Sequence, residues 1–274
     1  MAPSAHARRW ITVAFVVPVL VVFFLKAPAV AVCVLAAIVA SLALWEYFNV
    51  FCKVEAPHKD FGYWLSVALG AIILGAAVRG SFESMFVAIW MAFLSFSARA
   101  LIGYNRGNPG FEKLAVEAVS ILYVPSLLAA LLLIRRGDHG VAWLFFVLFL
   151  AFISDTGAFY AGRFFGRRKL IPKISPGKTV EGSLGSIAAD LVVVTAFKYL
   201  VLKDLSWAIC VPLAVCAAVA TQMGDLFESM MKRSFGAKDS GIFFPGHGGM
   251  LDRIDGMLFT GPVVYCFQLI HSYL

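Results

Sequence analysis

Long apolar runs separated by short polar segments dominate the sequence. A helix needs about 20 predominantly apolar residues to cross the hydrocarbon core of a bilayer. Runs of roughly this kind cover residues 10–25, 28–50, 62–78, 84–103, 114–134, 141–160, 183–201, 206–227 and 255–273. The pattern therefore predicts an all-α, polytopic integral membrane protein with about nine transmembrane helices.

Composition excludes the soluble classes of protein. Hydrophobic residues make up 61% of the 274 positions and charged residues 14%, whereas soluble domains carry about 25% charged residues. The five cysteines form no C-x-x-C pair, so neither a disulfide framework nor a zinc site is indicated. The net charge of +7 lies in short loops, which is typical of lipid headgroup contact and membrane topology rather than of nucleic acid binding.

Lysine and arginine residues predict how the chain crosses the membrane. With nine spans, 17 of the 23 fall on the side of the N-terminus. Because cytoplasmic loops carry the excess of these residues, we expect the N-terminus and the polar stretch 229–255 to face the cytoplasm. Arg8 and Arg9 before the first run also resemble a secretory signal, but the length of that run and the second run directly after it favour an uncleaved span.

Polar residues are concentrated in the second half of the chain. We expect residues 1–135 to form an N-terminal region of about five spans. Residues 136–274 form a C-terminal region with two long cytoplasmic loops, at about 161–182 and 228–254, which hold most of the functional chemistry.

The first loop has the composition of an anion site. Asp155 ends the sixth run, and after a basic stretch the chain reads Ser175-Pro176-Gly177-Lys178-Thr179-Val180-Glu181-Gly182. Glycine, proline and hydroxyl side chains suit a tight turn whose backbone N–H groups face an anion. A P-loop is excluded, since Gly177 has no glycine five positions before it. An ordinary turn in a positive-inside loop explains the same residues equally well.

A helix face leads into the second loop. Asp225, Glu228, Ser229 and Lys232 are spaced by three, four and seven residues, which places them on one face of a helix. Ionisable side chains at the end of a span usually face the bundle interior or a water-filled cavity. A solvated helix end is the plainer interpretation and fits Lys232 better than Asp225.

The second loop combines glycine, histidine and carboxylates. Three glycines surround His247 in Pro245-Gly246-His247-Gly248-Gly249, which allows close backbone approach to phosphates. Asp252 and Asp255 then share a helical face from which they can meet a cation, and Mg²⁺ binds through such carboxylates together with substrate phosphates. His247 fits a hydrogen bond to phosphate, or a role in ordering the loop, better than metal ligation.

These stretches together resemble the phosphatidate cytidylyltransferases, also called CDP-diacylglycerol synthases. The family signature S-x-hydrophobic-K-R-x4-K-D-x-small-x2-hydrophobic-P/G-x-H-G-G-hydrophobic-x-D-R-x-D is matched at every fixed position. The matching residues are Ser229, Lys232, Arg233, Lys238, Asp239, Gly241, Phe244, Pro245, His247, Gly248, Gly249, Asp252, Arg253 and Asp255. Residues 154–157 and 175–182 also resemble the family, and Trp45-Glu46 does so more weakly.

The resemblance implies a nucleotidyltransferase that converts CTP and phosphatidate to CDP-diacylglycerol and pyrophosphate, with residues 136–274 as its catalytic region. It implies Asp225 and Asp252 as ligands of Mg²⁺, with room for a second, monovalent ion such as K⁺. It implies phosphate contacts, and thus catalytic roles, for Lys178, Lys232, Arg233, Lys238 and Arg253, with Asp239 and His247 beside them. Substrate contacts are expected for Asp155, Ser175, Pro176, Thr179, Glu181, Gly248, Gly249 and Asp255, and Asp155, Glu181, Asp239 and Asp255 also suit supporting or secondary metal contacts.

The same resemblance implies a homodimer in the cell inner (cytoplasmic) membrane, with membrane lipids around it, no nucleic acid partner and the active site facing the cytoplasm. Two other functions fit parts of the sequence. A transporter or flippase is compatible with many spans and buried carboxylates, but no internal repeat is present. A CDP-alcohol phosphotransferase needs a D-G-x2-A-R spacing that the chain lacks. Glu46, Glu117 and Asp190 lie inside apolar runs, and the sequence assigns them no definite role.

Overall fold

The computed structural model describes residues 18–107, 110–237, 241 and 249–273. Residues 18–26 are helical, and nine further α-helices follow in the described ranges. These are α1 (Ala29–Val50), α2 (Phe61–Arg79), α3 (Phe82–Tyr104), α4 (Gly110–Ile121), α5 (Leu127–Arg136), α6 (Gly140–Phe165), α7 (Val180–Leu200), α8 (Trp207–Ser234) and α9 (Leu251–Ser272). Strands β1 (Lys169–Ile171) and β2 (Ser175–Thr179) form a small antiparallel hairpin between α6 and α7.

The helices confirm the prediction of a polytopic, all-α membrane protein. Among the described residues, seven helical segments are long and apolar enough to cross a membrane, with α4 and α5 counted as one. The 22 residues of α9 are not among the seven; its first turns carry Asp252, Arg253 and Asp255. Of the first predicted run, 10–25, residues 18–25 belong to a described helix and the others lie outside the described residues, so the count of nine spans is approximate.

Local sequence signals explain where α2 begins and ends. The side chain of Asp60 accepts hydrogen bonds from the backbone N–H groups of Gly62 and Tyr63, which caps the start of the helix. At the other end, Gly80 adopts φ +72°, a left-handed conformation that glycine tolerates without strain.

A proline interrupts the span formed by α4 and α5. Residues Leu122–Ser126 form a π-helical turn that contains Pro125, because proline supplies no N–H and its ring clashes with the preceding turn. The Ser126 hydroxyl donates a hydrogen bond to the Ile121 carbonyl and so satisfies one acceptor near the irregular turn.

Two apolar clusters hold the bundle together. The first is built mainly from α1 to α5 around Tyr47, Phe48 and Ile73, and it includes Leu251 and Ile254 of α9. The second joins α5 to α9 around Trp143 and Phe146. Helix α9 therefore packs against both halves of the chain, and its N-terminus meets the C-terminal end of α1.

Candidate active site

Glycine allows α6 and α7 to approach closely. A β-carbon placed on Gly185 would lie 2.2 Å from the β-carbon of Ala161, and one on Gly157 would lie 2.5 Å from that of Ala189. Small residues at helix contacts let backbones pack at short distance in membranes. This packing brings the C-terminal half of α6, which carries Asp155, against the N-terminal half of α7.

A second close crossing joins α8 to α9. A β-carbon on Gly224 would lie 2.3 Å from the Asp255 carbonyl oxygen, and one on Gly256 would lie 2.9 Å from the methyl carbon of Thr221. The hydroxyls of Thr221 and Thr260 are 2.6 Å apart within the same contact. The crossing thus fixes Asp225, the residue after Gly224, alongside Asp255.

The hairpin between α6 and α7 presents a lysine to α8. Thr179 caps α7 by accepting the Gly182 N–H at 3.1 Å. The residue before it, Lys178, places its Nζ 2.6 Å from Oδ2 of Asp225. The Glu181 carboxylate accepts the backbone N–H groups of Arg167 and Arg168. Glu181 therefore orders the hairpin rather than facing α8.

A second lysine–carboxylate pair lies further along α8. The Nζ of Lys232 is 2.5 Å from Oδ1 of Asp252 and 3.4 Å from Oε1 of the buried Glu228. The other oxygen of Asp252 accepts the Gly249 N–H at 2.8 Å. Lys232 and Asp252 thereby connect the end of α8 to the start of α9. The sequence predicted that Lys232 shares one face of α8 with Asp225, Glu228 and Ser229.

A cavity of about 480 Å³ opens beside the first pair. Its lining includes Asp155, Gly162, Arg163, Ser175, Gly177, Lys178, Thr179, Gly182, Ser183, Gln222 and Asp225. Three of these residues are glycines, so backbone as well as side chains can approach a ligand there. The Asp155 carboxylate is close enough to Asp225 and Lys178 for their charges to interact. The volume lies within the range of about 300–1,000 Å³ that is usual for small-molecule sites.

The structure brings most of the predicted site residues to this region. Asp155, Ser175, Lys178, Thr179 and Asp225 line the cavity, while Lys232, Gly249, Asp252 and Asp255 lie along the α8–α9 contact. Pro176 and Arg233 are exposed, and Arg253 lines a different cavity, formed by apolar residues. Lys238, Asp239, His247 and Gly248 lie outside the described residues.

The sequence assigned no definite role to three buried polar groups near the site. Glu46 of α1 is fully buried and accepts the N–H groups of Met250 and Leu251 at 2.9 and 2.8 Å. Gln222 donates to the Ser186 hydroxyl at 2.6 Å from within the cavity wall. Asp190 is fully buried, and the Ser154 hydroxyl of α6 lies beside its carboxyl group. The sequence signal that could have identified Glu46 and Asp190 as candidate site residues is that each is a carboxylate inside an apolar run.

Comparison with known proteins identifies the family of the chain. The sequence profile of the cytidylyltransferase family matches residues 7–271. The chain belongs to the cytidylyltransferase family. This membership favours nucleotidyl transfer over the transport function that the buried carboxylates had left open.

Individual members of the cytidylyltransferase family resemble the chain over most of its length. A phosphatidate cytidylyltransferase of Thermotoga maritima is 33% identical over 264 residues, which is 94% of each chain. One of Staphylococcus saprophyticus is 35% identical over 235 residues, 81% of this chain and 88% of its own length. One of Bacillus subtilis is 36% identical over 163 residues, 59% and 61% of the two chains. The similarity is thus not confined to the C-terminal signature.

Proposed function

We propose that the protein transfers the cytidylyl group of CTP to phosphatidate, yielding CDP-diacylglycerol and pyrophosphate. The observation that carries the proposal is a pair of lysine–carboxylate contacts on α8, Lys178–Asp225 and Lys232–Asp252, next to a cavity with glycine in its walls. Asp225 and Lys232 are seven residues apart, so about 10 Å of one helix face presents alternating charge to the substrates. The names of the similar proteins support the same reaction.

Repulsion between anions is the main barrier to this reaction. The lipid phosphate and the triphosphate must approach each other, and pyrophosphate must then leave. Catalysis of phosphoryl transfer depends chiefly on positioning and on electrostatic stabilisation of developing charge. Lys178 and Lys232 are held in place by their carboxylate partners, so their ammonium groups need little reorganisation when phosphates arrive.

The nucleophile needs no dedicated base. A phosphate monoester has a second pKa near 6, so at neutral pH its oxygen already carries the negative charge needed to attack the α-phosphorus of CTP. The bond from that phosphorus to the β-phosphate oxygen then breaks, and its electron pair leaves with pyrophosphate. The residues therefore have to orient the two phosphates and exclude water, rather than remove a proton.

The donor set fits a magnesium ion shared with the substrate. In the described part of the chain, no three His, Cys, Asp or Glu side chains are grouped so that they could hold a metal by themselves. Mg²⁺ commonly binds through one or two carboxylates, several waters and substrate phosphates, and Asp225 and Asp252 would supply those carboxylates. When bound, the ion would supply positive charge that offsets the repulsion of the reacting phosphates. The proposed site also leaves room for a second, monovalent ion such as K⁺.

The proposed site faces the cytoplasm, where CTP is available. The C-terminal ends of α6 and α8 and the N-terminal ends of α7 and α9 gather on one side of the bundle. That is the side on which lysine and arginine residues predominate, as expected for cytoplasmic loops. Because the similar proteins are bacterial, we place the chain in the inner membrane, and we keep the homodimer as part of the proposal.

Pyrophosphate release by the purified full-length protein in detergent tests the proposal. Release should require phosphatidate, CTP and Mg²⁺ together, and it should stop when any one is omitted. Lys178→Met should lower the rate by about 100-fold or more, the usual effect of removing one preorganised electrostatic contact. Lys59→Met, which removes an exposed lysine of the α1–α2 connection, is the matched control. Release from CTP without phosphatidate, at the same rate, would contradict the proposal.

A further inference from the structure

The π-helical turn at Leu122–Ser126 carries a tyrosine with a buried hydroxyl. Tyr123 is 3% exposed, and none of the described residues forms a hydrogen bond with its hydroxyl oxygen. Burying a hydroxyl without a hydrogen bond lowers stability, so such groups are rare in folded proteins. π-Helical turns inside α-helices are frequent at functional sites. A hydroxyl held in this way is available to donate a hydrogen bond when the arrangement around it changes.

Two phenylalanines fix the ring of Tyr123 against α8 and α9. The centroid of its ring is 5.1 Å from that of Phe227 on α8 and 6.3 Å from that of Phe259 on α9, with interplanar angles of 67° and 65°. Edge-to-face contacts between aromatic rings are favourable. The span formed by α4 and α5 thus reaches the α8–α9 crossing, and the N-terminal half of the chain supplies a polar group there.

The hydroxyl of Tyr123 lies near carboxylates of the proposed active site. Phe227 is followed directly by Glu228. Phe259 lies one turn of α9 after Asp255, so the two share a helix face. The negative charges of Glu228 and Asp255 both act on the tyrosine hydroxyl, and that of Glu228 acts more strongly. Because ionised carboxylates only accept hydrogen bonds, the tyrosine would be the donor in any contact with them.

The cation beside Glu228 is Lys232. Its Nζ is 3.4 Å from Oε1 of Glu228, and the carboxyl group of Asp255 lies beside Glu228 as well. Glu228 is 1% exposed. Under the proposed function, arriving phosphates draw the ammonium group of Lys232 towards themselves. Two buried carboxyl groups would then face each other without that cation, which is costly unless a hydrogen-bond donor takes its place.

We infer that Tyr123 is a positioning residue whose hydroxyl donates a hydrogen bond to the Glu228 carboxylate when Lys232 turns to the substrate phosphates. The inference rests on the proposed function and deepens it, because it specifies how the site compensates for the movement of its lysine. It also gives the π-helical turn a role, since this turn presents Tyr123 to α8. The tyrosine acts through Glu228 and Lys232 and does not touch the reacting atoms.

Tyr123→Phe isolates the hydroxyl, because the ring and its contacts with the two phenylalanines remain. Without substrates, its melting temperature in detergent should equal or exceed that of wild type, since a buried hydroxyl that lacks a hydrogen bond is removed. We expect kcat/KM for phosphatidate to fall about tenfold or more, the usual effect of losing a hydrogen bond to a charged group. The matched control is Tyr63→Phe, since the buried Tyr63 hydroxyl already donates to the Ser41 carbonyl at 3.4 Å. Its kcat/KM should stay at the wild-type value.

Stabilisation by bound substrates provides a readout that does not depend on turnover. Phosphatidate, Mg²⁺ and a CTP analogue with a methylene group between its α- and β-phosphorus fill the site without release of pyrophosphate, and the rise in melting temperature is measured. We expect this rise to be smaller in Tyr123→Phe than in wild type by about 2 °C or more, and unchanged in Tyr63→Phe. No rise in wild type would contradict the proposed function and the inference with it. Equal rises in wild type and Tyr123→Phe would contradict the inference alone.

A double-mutant cycle tests whether Tyr123 acts through Glu228. Glu228→Met removes the acceptor but keeps an unbranched side chain, and an apolar residue in place of a buried charge is often tolerated. In the Glu228→Met background, Tyr123→Phe should no longer reduce the rise in melting temperature with substrates. Full additivity of the two substitutions would overturn the inference. A melting temperature of Tyr123→Phe that is lowered equally with and without substrates would also overturn it, because that is the result of a purely structural role.

Discussion

The carboxylate of Glu46 accepts a hydrogen bond from the backbone N–H of Leu251, at 2.8 Å and across 205 positions of the chain. Its other oxygen accepts the Met250 N–H at 2.9 Å. A buried carboxylate from α1 thus caps the start of α9, where unpaired N–H groups and the helix dipole favour a negative charge. Two positions into α9 comes Asp252, so the N-terminal half of the chain sets the position of a proposed ligand in the C-terminal half.

The proposal gives Glu46 no contact with the substrates. Its replacement should therefore affect turnover through the position of Asp252. Glu46→Gln keeps one acceptor oxygen and leaves one N–H group without its partner, so we expect kcat to fall while KM for CTP changes less. Glu46→Ala leaves both N–H groups unpaired and should lower the free energy of unfolding by about 1–3 kcal/mol. Steady-state kinetics and thermal unfolding in detergent measure the two effects. Glu55→Gln, at an exposed carboxylate beyond α1, is the control, and unchanged kcat in Glu46→Gln would refute a positioning role.

The α8–α9 crossing gives a second prediction. Gly224→Ala would place a β-carbon 2.3 Å from the Asp255 carbonyl oxygen, so the two helices must separate and Asp225 must move with α8. We expect a loss of about 1–3 kcal/mol in the free energy of unfolding, the usual effect of overpacking, together with loss of activity. Gly75→Ala is the matched control, since nothing lies within 4 Å of the added carbon. Equal melting temperatures of the two variants would contradict the packing argument.

The ion pair between Asp60 and Arg99 should make stability depend on pH. Its nitrogen–oxygen distance is 2.7 Å. Burial acts to raise the pKa of the Asp60 carboxyl, but the hydrogen bond and positive charge of Arg99 outweigh burial and hold the pKa below its ordinary value. A carboxyl with a lower pKa in the folded state stabilises the fold above its unfolded pKa of about 3.9, and this contribution is lost as the pH falls through the folded pKa.

Asp60→Asn isolates that charge effect, because asparagine caps a helix about as well as aspartate. We expect the free energy of unfolding to fall by about 1 kcal/mol at pH 7, a modest loss since Arg99 keeps Glu117 at 3.5 Å. The difference from wild type should shrink towards zero below about pH 4. Asp60→Ala should lose about 1 kcal/mol more, because the cap is lost too. Thermal unfolding across pH checks both values, and a difference that does not vary with pH would rule out the ion pair as its cause.

Metal dependence tests the proposed role of Asp252. Removal of divalent ions with EDTA should abolish turnover, and added Mg²⁺ should restore it. Asp252→Asn should raise the Mg²⁺ concentration for half-maximal activity by about tenfold or more, since a neutral amide is a weaker ligand than a carboxylate. Asp204→Asn, at an exposed aspartate between α7 and α8, should leave the Mg²⁺ titration as in wild type. An unchanged titration in Asp252→Asn would remove Asp252 from the metal site.

Much of the fold follows from the sequence because each helix that crosses the bilayer needs an apolar run of sufficient length. Apolar runs of sufficient length predicted the spans, and the runs at 28–50 and 84–103 correspond within two residues to α1 and α3. The π-helical turn at Pro125 was not predicted, since a proline in a span is accommodated in several ways that depend on neighbouring helices. The hairpin of β1 and β2 was predicted only as a loop, because its strands are three and five residues long and carry no alternating pattern.

The candidate site, like the fold, could be predicted from the sequence only in part. Spacing alone placed Asp225 and Lys232 on one helix face, and the signature from Ser229 to Asp255 predicted the family. The partners of these residues depend on tertiary contacts. Lys178 reaches Asp225 across the contact between the hairpin and α8, and Glu46 meets α9 only after the bundle has formed. No local pattern encodes contacts between residues 204 positions apart.

Transfer of labelled phosphorus tests most directly whether the lipid phosphate attacks the α-phosphorus of CTP. The purified protein is given phosphatidate, Mg²⁺ and CTP labelled in either the α- or the γ-phosphate, and lipid and aqueous products are separated. We predict that the α-label enters the lipid fraction and the γ-label enters pyrophosphate in equal amounts. Recovery of the γ-label in lipid, or of the α-label in aqueous CMP while pyrophosphate is released, would contradict the account.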